Sequence, residues 1–402
     1  MPASAFLLDV TRIVSRLGKG ALTGIDRVEL AYLRYLLGQD VPVYGLTRTP
    51  AGVLVLPVSA LKLIADWAQG GPLPGPIDLI GRIARRKAPD QARAETQLRH
   101  HALRRLPVAL LGQGLRRLLA PGTVYLNVGH ANLSPRVLRG LHRARLRVAV
   151  MLHDTIPLES PEYARADQIA VFARRVAAVS AHADVVIHTA HTTRLANERH
   201  LAKAGRVPPG VVAPLAVDMP KPDLGALPPG LMPSEPYFVV LGTIEPRKNH
   251  ALLLDVWDAL AAEKGPLPKL LVIGNRGWAK PALFARLDRG VAGVQVLSGL
   301  GDQAVATLVA GARALLFPSF AEGFGLPAIE AMRLKTPVIA SDLPIFREVM
   351  GDYAVYLTPS DVYSWMRTIR DTSLGPSGRV PEAGGLASVT WSDHLRIVLT
   401  SI

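Results

Sequence analysis

Short apolar runs recur along the chain, each closed by a polar or turn residue. A run of that kind suits a strand buried on both faces of a parallel sheet. In the first half the pattern predicts strands at 5–10, 124–128, 148–152 and 184–188, with a short one at 211–214. Helical spacing lies between them, at 168–183 and over Val28, Leu30, Tyr32, Leu33 and Leu36. A proline-rich stretch, 207–236, then interrupts the pattern and places a domain boundary near Asp218.

After that break the alternation starts again. Strands are predicted at 237–241, 269–273, 294–297, 314–317 and 337–340, and helices at 249–264, 278–289, 302–310 and 326–334. Regular strand–helix alternation is the mark of a doubly wound parallel sheet, so the fold class is α/β. The expected domains are 1–218, 219–385 and a closing helical piece, 386–402, that crosses back to the first domain.

Composition narrows the picture. The chain has 402 residues, natural for two ordinary cores, and 49% hydrophobic against 19% charged residues, as globular proteins have. Cysteine is absent, which excludes disulfides, thiolate zinc sites and a cysteine nucleophile. No apolar run approaches the roughly 18 residues of a spanning helix. The N-terminal apolar run has no basic region ahead of it and reads as a strand, not a signal peptide. The expected location is the cytoplasm, peripheral on the inner face of the plasma membrane.

Ligands of doubly wound sheets bind at the carboxyl ends of strands, and chemistry-bearing residues gather there. Gly242, Thr243, Arg247, Lys248 and Asn249 follow the 237–241 strand and precede a helix. Adjacent Arg and Lys at a helix start suit a diphosphate, although a solvated basic turn would read the same way. Glu322, Gly323, Phe324, Gly325, Leu326 and, within the helix that follows, Glu330 come after the 314–317 strand. Glycines there allow a ligand close to the backbone, whose N–H groups can meet a hydroxyl or phosphate. Glu330 stands among Ala328, Ile329, Ala331 and Met332, where a carboxylate needs a partner.

These two blocks resemble glycosyltransferase family 4, the retaining GT-B enzymes, from about 237 to 361 and more thinly in the first half. The resemblance implies two Rossmann-like domains facing a cleft. By it, Arg247 and Lys248 bind the donor diphosphate, Glu322 and the Gly323–Leu326 backbone meet the transferred sugar, and Glu330 binds the ribose. It also places a glycine-rich phosphate and acceptor loop at Thr23, Gly24, Asp26 and Arg27. Thr23 stands where two adjacent glycines are common, which leaves its role open. A plain strand–helix connection would read alike. His153 would act against the donor sugar, with Asp154 orienting it or meeting the acceptor, and His188 behind them.

No Asp-x-Asp pair occurs, so the arginine–lysine pair is expected to do the work of a metal, and neither a metal nor a cofactor is expected. The resemblance is strongest to bacterial mannosyl- or rhamnosyltransferases of polysaccharide assembly. It implies a nucleotide diphosphate-sugar, GDP-mannose favoured, and a lipid-linked or saccharide acceptor. Two other readings compete: a sugar-nucleotide epimerase on the same fold, and a basic nucleic-acid-binding protein. The acidic pair and the scarce aromatics, 5%, argue against nucleic acid.

Charge adds a partner surface. Residues 1–218 hold 29 Lys/Arg and 15 Asp/Glu, which accounts for the whole net charge of +14. Between Arg82 and Arg117 basic residues interleave with Leu98, Leu103, Leu106, Leu110, Leu111, Leu115 and others. Helices basic on one face and apolar on the other would bind an anionic membrane surface, although a solvated helical face packing its leucines into the domain core would read the same way.

Overall fold

A strand covered on both faces needs no polar side, so the apolar runs become the parallel strands of two sheets. The computed structural model describes residues 3–20, 22–83, 89–263, 265–375 and 385–402. The first sheet holds β1 (Phe6–Asp9), β2 (Val43–Thr49), β3 (Gly52–Leu56), β4 (Arg104–Leu106), β5 (Val124–Asn127), β6 (Arg147–Leu152), β7 (Val185–His188) and β8 (Gly210–Val212), in the order β4-β3-β2-β1-β5-β6-β7-β8. The second holds β9 (Tyr237–Leu241), β10 (Lys269–Ile273), β11 (Val294–Leu297), β12 (Ala314–Phe317), β13 (Val338–Ser341) and β14 (Ala354–Leu357), in the order β11-β10-β9-β12-β13-β14. All pairs in the second sheet are parallel.

The chain divides into two compact units. The first is Met1–Leu158, Ile169–Leu215 and Trp391–Ile402; the second is Glu159–Gln168 and Ala216–Thr390. The closing helix, Trp391–Ser401, thus belongs to the first unit, held by His394. One ring nitrogen of His394 is 2.7 Å from the Tyr32 hydroxyl and the other 3.0 Å from the Pro214 carbonyl. The short piece Glu159–Gln168 belongs to the second unit, where Tyr163 stacks on Phe320 at 5.3 Å between ring centres.

Three strands of the first sheet were not among those expected. β2, β3 and β4 form an antiparallel edge, with Leu46 opposite Val55 and Val53 opposite Leu106. Gly45, Thr47 and Arg48 break the apolar run of β2, and β4 has arginines at two of its three positions. Nothing local in 104–106 marks a strand; its pairing with β3 makes it one.

The same edge corrects the expectation for the basic stretch. Leu98, Leu111, Leu115 and Leu119 are buried, and Leu106, Val108 and Leu118 pack against the core of the first unit. Most of these leucines face inward, and Leu103 and Leu110 alone among those named are exposed, so the stretch offers no continuous apolar face for a membrane. Arg85, Arg86 and Lys87 of that stretch, with Ala21 and Lys264 of other expected elements, lie outside the described residues.

In the second unit Phe238, Val240, Leu270, Val272 and Leu316 meet Trp257 and Trp365 from covering helices. Trp257 satisfies its indole N–H on the Pro268 carbonyl at 2.9 Å, so the ring is buried without an orphaned donor. The order of strands reverses between β9 and β12. That is where an open parallel sheet leaves a crevice beyond its carboxyl ends.

Candidate active site

Both arms of the site leave the second sheet at this reversal. After β9 the chain must pass close to β10: Gly242 N–H bonds the Ile273 carbonyl at 3.0 Å and Ile244 N–H the Asn275 carbonyl at 2.9 Å. A Cβ on Gly274 would stand 2.0 Å from the Gly242 carbonyl oxygen, so only glycine permits the approach. A 3-10 turn, Pro246–Lys248, follows. Asn249 then takes the left-handed conformation (φ 53°) that Asn tolerates, and starts the helix His250–Ala262.

Asn249, expected among the donor-binding residues, is occupied structurally. Its amide nitrogen donates to the Pro318 carbonyl at 3.2 Å and the Pro359 carbonyl at 2.8 Å, tying this turn to the loops after β12 and β14. The Phe320 N–H completes the tie on the Arg247 carbonyl at 2.9 Å.

This pinning brings Arg247, Lys248 and Glu322 together. Lys248 Nζ donates to Glu322 Oε1 at 2.6 Å, and Arg247 Nη1 lies 2.5 Å from Oε2. Ser319 Oγ donates to Oε1 at 2.8 Å, Glu245 accepts from Arg247 at 2.7 Å, and the Lys248 ammonium stands 4.7 Å from the centre of the Phe317 ring. Burial alone would raise the Glu322 carboxyl. The charges of Arg247 and Lys248 and their hydrogen bonds outweigh it and hold it at about 2. Burial pulls the Lys248 ammonium below its ordinary value, against the opposing pull of Glu322. Two cations and two carboxylates thus form a buried, nearly neutral cluster.

The glycine loop supplies the other element. Phe324 is buried, while Gly325, at φ 99°, turns the chain into the helix Leu326–Arg333. Among the described residues, the backbone N–H groups of Gly323, Phe324 and Gly325 meet no acceptor. Glu330 is buried on that helix, and Gly242 lies against the Lys248 side chain, 3.3 Å from where its Cβ would stand to Cε. Thr243 lies beside Gly277.

In the first unit His153 and Asp154 follow β6, His188 ends β7, and the 23–27 segment comes after β1 and a short helix, Thr11–Arg16. The helix expected to begin near Val28 begins at Gly24 instead. Asp26 is therefore no part of an open phosphate loop. It is fully buried, caps this helix by accepting from Thr23 N (2.8 Å) and Thr23 Oγ1 (2.7 Å), and pairs with Arg12 at 2.6 Å. Gly24 and Arg27 lie in the helix's first turn. His153 is buried and its Nε2 donates to the Val128 carbonyl at 2.7 Å. Burial lowers its pKa to about 4, so the ring is neutral, with Nδ1 left as an acceptor. Asp154 does not orient it by any described bond; its carboxylate accepts from the Ile156 N–H at 3.1 Å. His188 is fully buried in the sheet and held by Asn197 at 3.1 Å.

Sequence reasoning passed over several polar residues here. Arg12 anchors Asp26, and Glu29, fully buried with its pKa raised by burial, accepts from the Ile13 N–H at 3.0 Å. His130, in a left-handed turn (φ 58°), accepts from the His153 N–H at 3.3 Å. His250, next after Asn249, is buried with neither ring nitrogen bonded. Its place beside the basic pair was the available signal. Among the described residues no group of three His, Asp or Glu is placed to hold a metal ion.

The two parallel sheets, with the cluster at the strand-order reversal of the second, have the architecture of the GT-B fold class. Residues 229–377 match the family model for glycosyl transferases group 1, so the second unit carries that domain. The serotype-specific mannosyltransferase WbdA of Escherichia coli is 29% identical over 275 residues, 63% of this chain and 33% of that protein. The O-antigen chain mannosyltransferase B of Escherichia coli is 38% identical over 128 residues, 31% of this chain and 34% of that protein. The chain thus spans about a third of the length of these curated relatives. Among solved structures, Anabaena HepE in complex with UDP-glucose superposes with a TM-score of 0.63 at 16% identity, over 99% of this chain and 100% of that one. Sucrose-phosphate synthase from Thermosynechococcus elongatus gives 0.58 at 17% identity, over 98% and 94%. These two likenesses establish the fold.

Proposed function

We propose that the protein is a retaining, metal-independent glycosyltransferase. In this reading it moves a hexose, mannose favoured, from a nucleotide diphosphate-sugar to a lipid-linked or saccharide acceptor in bacterial polysaccharide assembly. The observation that carries it is the Arg247–Lys248–Glu322 cluster at the strand-order reversal, beside the unbonded N–H groups of Gly323–Gly325. The mannosyltransferase relatives support mannose, and with it GDP-mannose as donor.

Departure of a nucleoside diphosphate builds negative charge on its oxygens. Arg247 and Lys248 meet that charge from fixed positions, which is where preorganised electrostatics accelerates reaction most. In the ligand-free chain both cations are engaged by Glu322, so an arriving diphosphate exchanges with its carboxylate. Glu322 is then released to accept hydrogen bonds from sugar hydroxyls, and Glu330 serves the ribose hydroxyls. The departing phosphate takes the acceptor's proton on the face it leaves, which keeps the anomeric configuration. His153 contributes a neutral ring. With most leucines of the basic stretch buried, attachment to an anionic inner-membrane surface rests mainly on arginine charge.

The test is release of GDP from GDP-mannose by the purified chain, in chelator, with and without a mannan-type acceptor. Acceptor-dependent release supports the reading. Release of nucleotide with interconversion of the sugar and no transfer would make the chain an epimerase instead.

A further inference from the structure

The first unit carries a pocket that the donor site does not use. It lies between the helices Leu111–Leu118 and Pro135–Arg143, has a volume of about 510 Å³, and is lined by Gln113, Arg116, Arg136 and Arg143 around Gly112 and Gly140. The two glycines create it. A Cβ on Gly112 would stand 2.8 Å from the Gly140 carbonyl oxygen, so the helices meet backbone to backbone and the arginines flank the contact.

Two further observations give the pocket a ligand chemistry. From Thr96 to His153 the sequence contains ten arginines, no lysine, no aspartate and no glutamate. Among the described residues, Arg116, Arg136 and Arg143 have no acidic partner. Asp184, the acid that reaches the second helix, is engaged by the Val148 N–H at 2.7 Å and the His142 ring at 3.3 Å. Three unneutralised like charges around one concavity repel one another unless an anion sits among them. The exclusive use of arginine selects the anion's shape, because a planar guanidinium grips a phosphoryl group through two parallel hydrogen bonds and an ammonium does not. The rim is apolar: Val108 and Ala109 line it, and Leu110, 49% exposed, follows directly.

We propose that this pocket holds the phosphate headgroup of an anionic membrane lipid, with Arg116, Arg136 and Arg143 on the phosphoryl oxygens and Leu110 in the bilayer interface. A phosphomonoester headgroup, carrying up to two charges, fits three guanidinium groups better than a phosphodiester with one. The inference rests on the proposed membrane attachment for the source of the phosphate and is independent of glycosyl transfer.

The test is co-sedimentation of the full chain with vesicles containing phosphatidic acid, against vesicles of equal surface charge made with phosphatidylglycerol. The wild-type chain should prefer the former about tenfold, the worth of one added bidentate contact. R116S/R136S/R143S should lose that preference and bind about a hundredfold more weakly. The charge-matched control R34S/R174S/R289S should keep the preference and stay within about threefold of wild type. Thermal melts check that both variants fold, and turnover on a soluble acceptor should be equal in all three chains. Equal losses in the two variants would overturn the pocket and leave diffuse charge as the whole effect. Pocket-dependent binding of soluble pyrophosphate without vesicle binding would overturn the lipid source. A chain that binds vesicles through this pocket but transfers no sugar would sustain the inference while sinking the proposed activity.

Discussion

The Lys248 ammonium donates to the Glu322 carboxylate at 2.6 Å across 74 positions of sequence, and both side chains are buried. The acid that family resemblance gives to the sugar and the cation it gives to the diphosphate are thus one ion pair before any ligand arrives. A buried pair holds each partner strongly, and removing one leaves the other charge uncompensated.

The pair predicts opposite effects on nucleotide binding. Lys248→Ala should weaken nucleoside diphosphate binding and cut kcat/KM by about 100-fold or more, as loss of a preorganised charge does. Glu322→Gln removes the competitor for both cations and should bind free nucleoside diphosphate more tightly than wild type, while turnover also falls. Calorimetric titration with GDP measures both. Equal weakening in the two variants would show that the carboxylate does not exchange with the ligand.

In the proposed function Arg247 and Lys248 take the part a divalent cation would otherwise play in neutralising the diphosphate. Activity is expected to be unchanged by excess chelator, measured as product formed per enzyme after dialysis. An absolute requirement for added manganese or magnesium would refute the role given to the basic pair.

Stability should fall as pH falls below neutrality. Burial holds His153, His188, His250 and His394 at about 4, against an unfolded value of about 6.5. Below about 6.5 the unfolded chain takes up protons that the folded chain refuses, and the loss levels off near 4. One such histidine contributes on the order of 3 kcal/mol over that range. Glu322, held at about 2, adds stability above about 4.5 that is lost toward 2, so it acts in the same direction. Urea midpoints between pH 8 and pH 5 should decline, and His153→Gln should decline less steeply. A flat profile in both chains would contradict the buried neutral histidines.

The transferred sugar is expected to keep its anomeric configuration. The one-bond C1–H1 coupling of the new linkage, read by NMR on a product made from α-linked donor, decides it. A β linkage would place proton transfer on a base opposite the leaving phosphate, and His153 would be the first residue to mutate.

How much of this was legible in sequence depends on how local its cause is. The five second-half strands expected from the apolar runs lie within a residue of their predicted bounds, because a strand buried on both faces writes its burial into its own composition. The basic pair and the glycine loop were visible for the same reason: each sits directly after such a strand. β4 was not visible, since two of its three residues are arginines and only β3 makes them a strand. Asp26 looked like a loop acid because its partner, Arg12, lies across a turn that local spacing does not describe.

By itself, then, the sequence determined the alternating α/β order, the charge of the first half and the identity of the candidate site residues. All of these follow from the residue and its near neighbours. Only the tertiary structure decided which charges meet. Arg247, Lys248 and Glu322 become one cluster because β9 and β12 lie side by side and Asn249 ties their loops together. Most leucines of the basic stretch became core, and Arg116 was left beside Arg136 and Arg143 of a later helix around one pocket, because burial depends on what packs against a helix, and no sequence window contains its own partner.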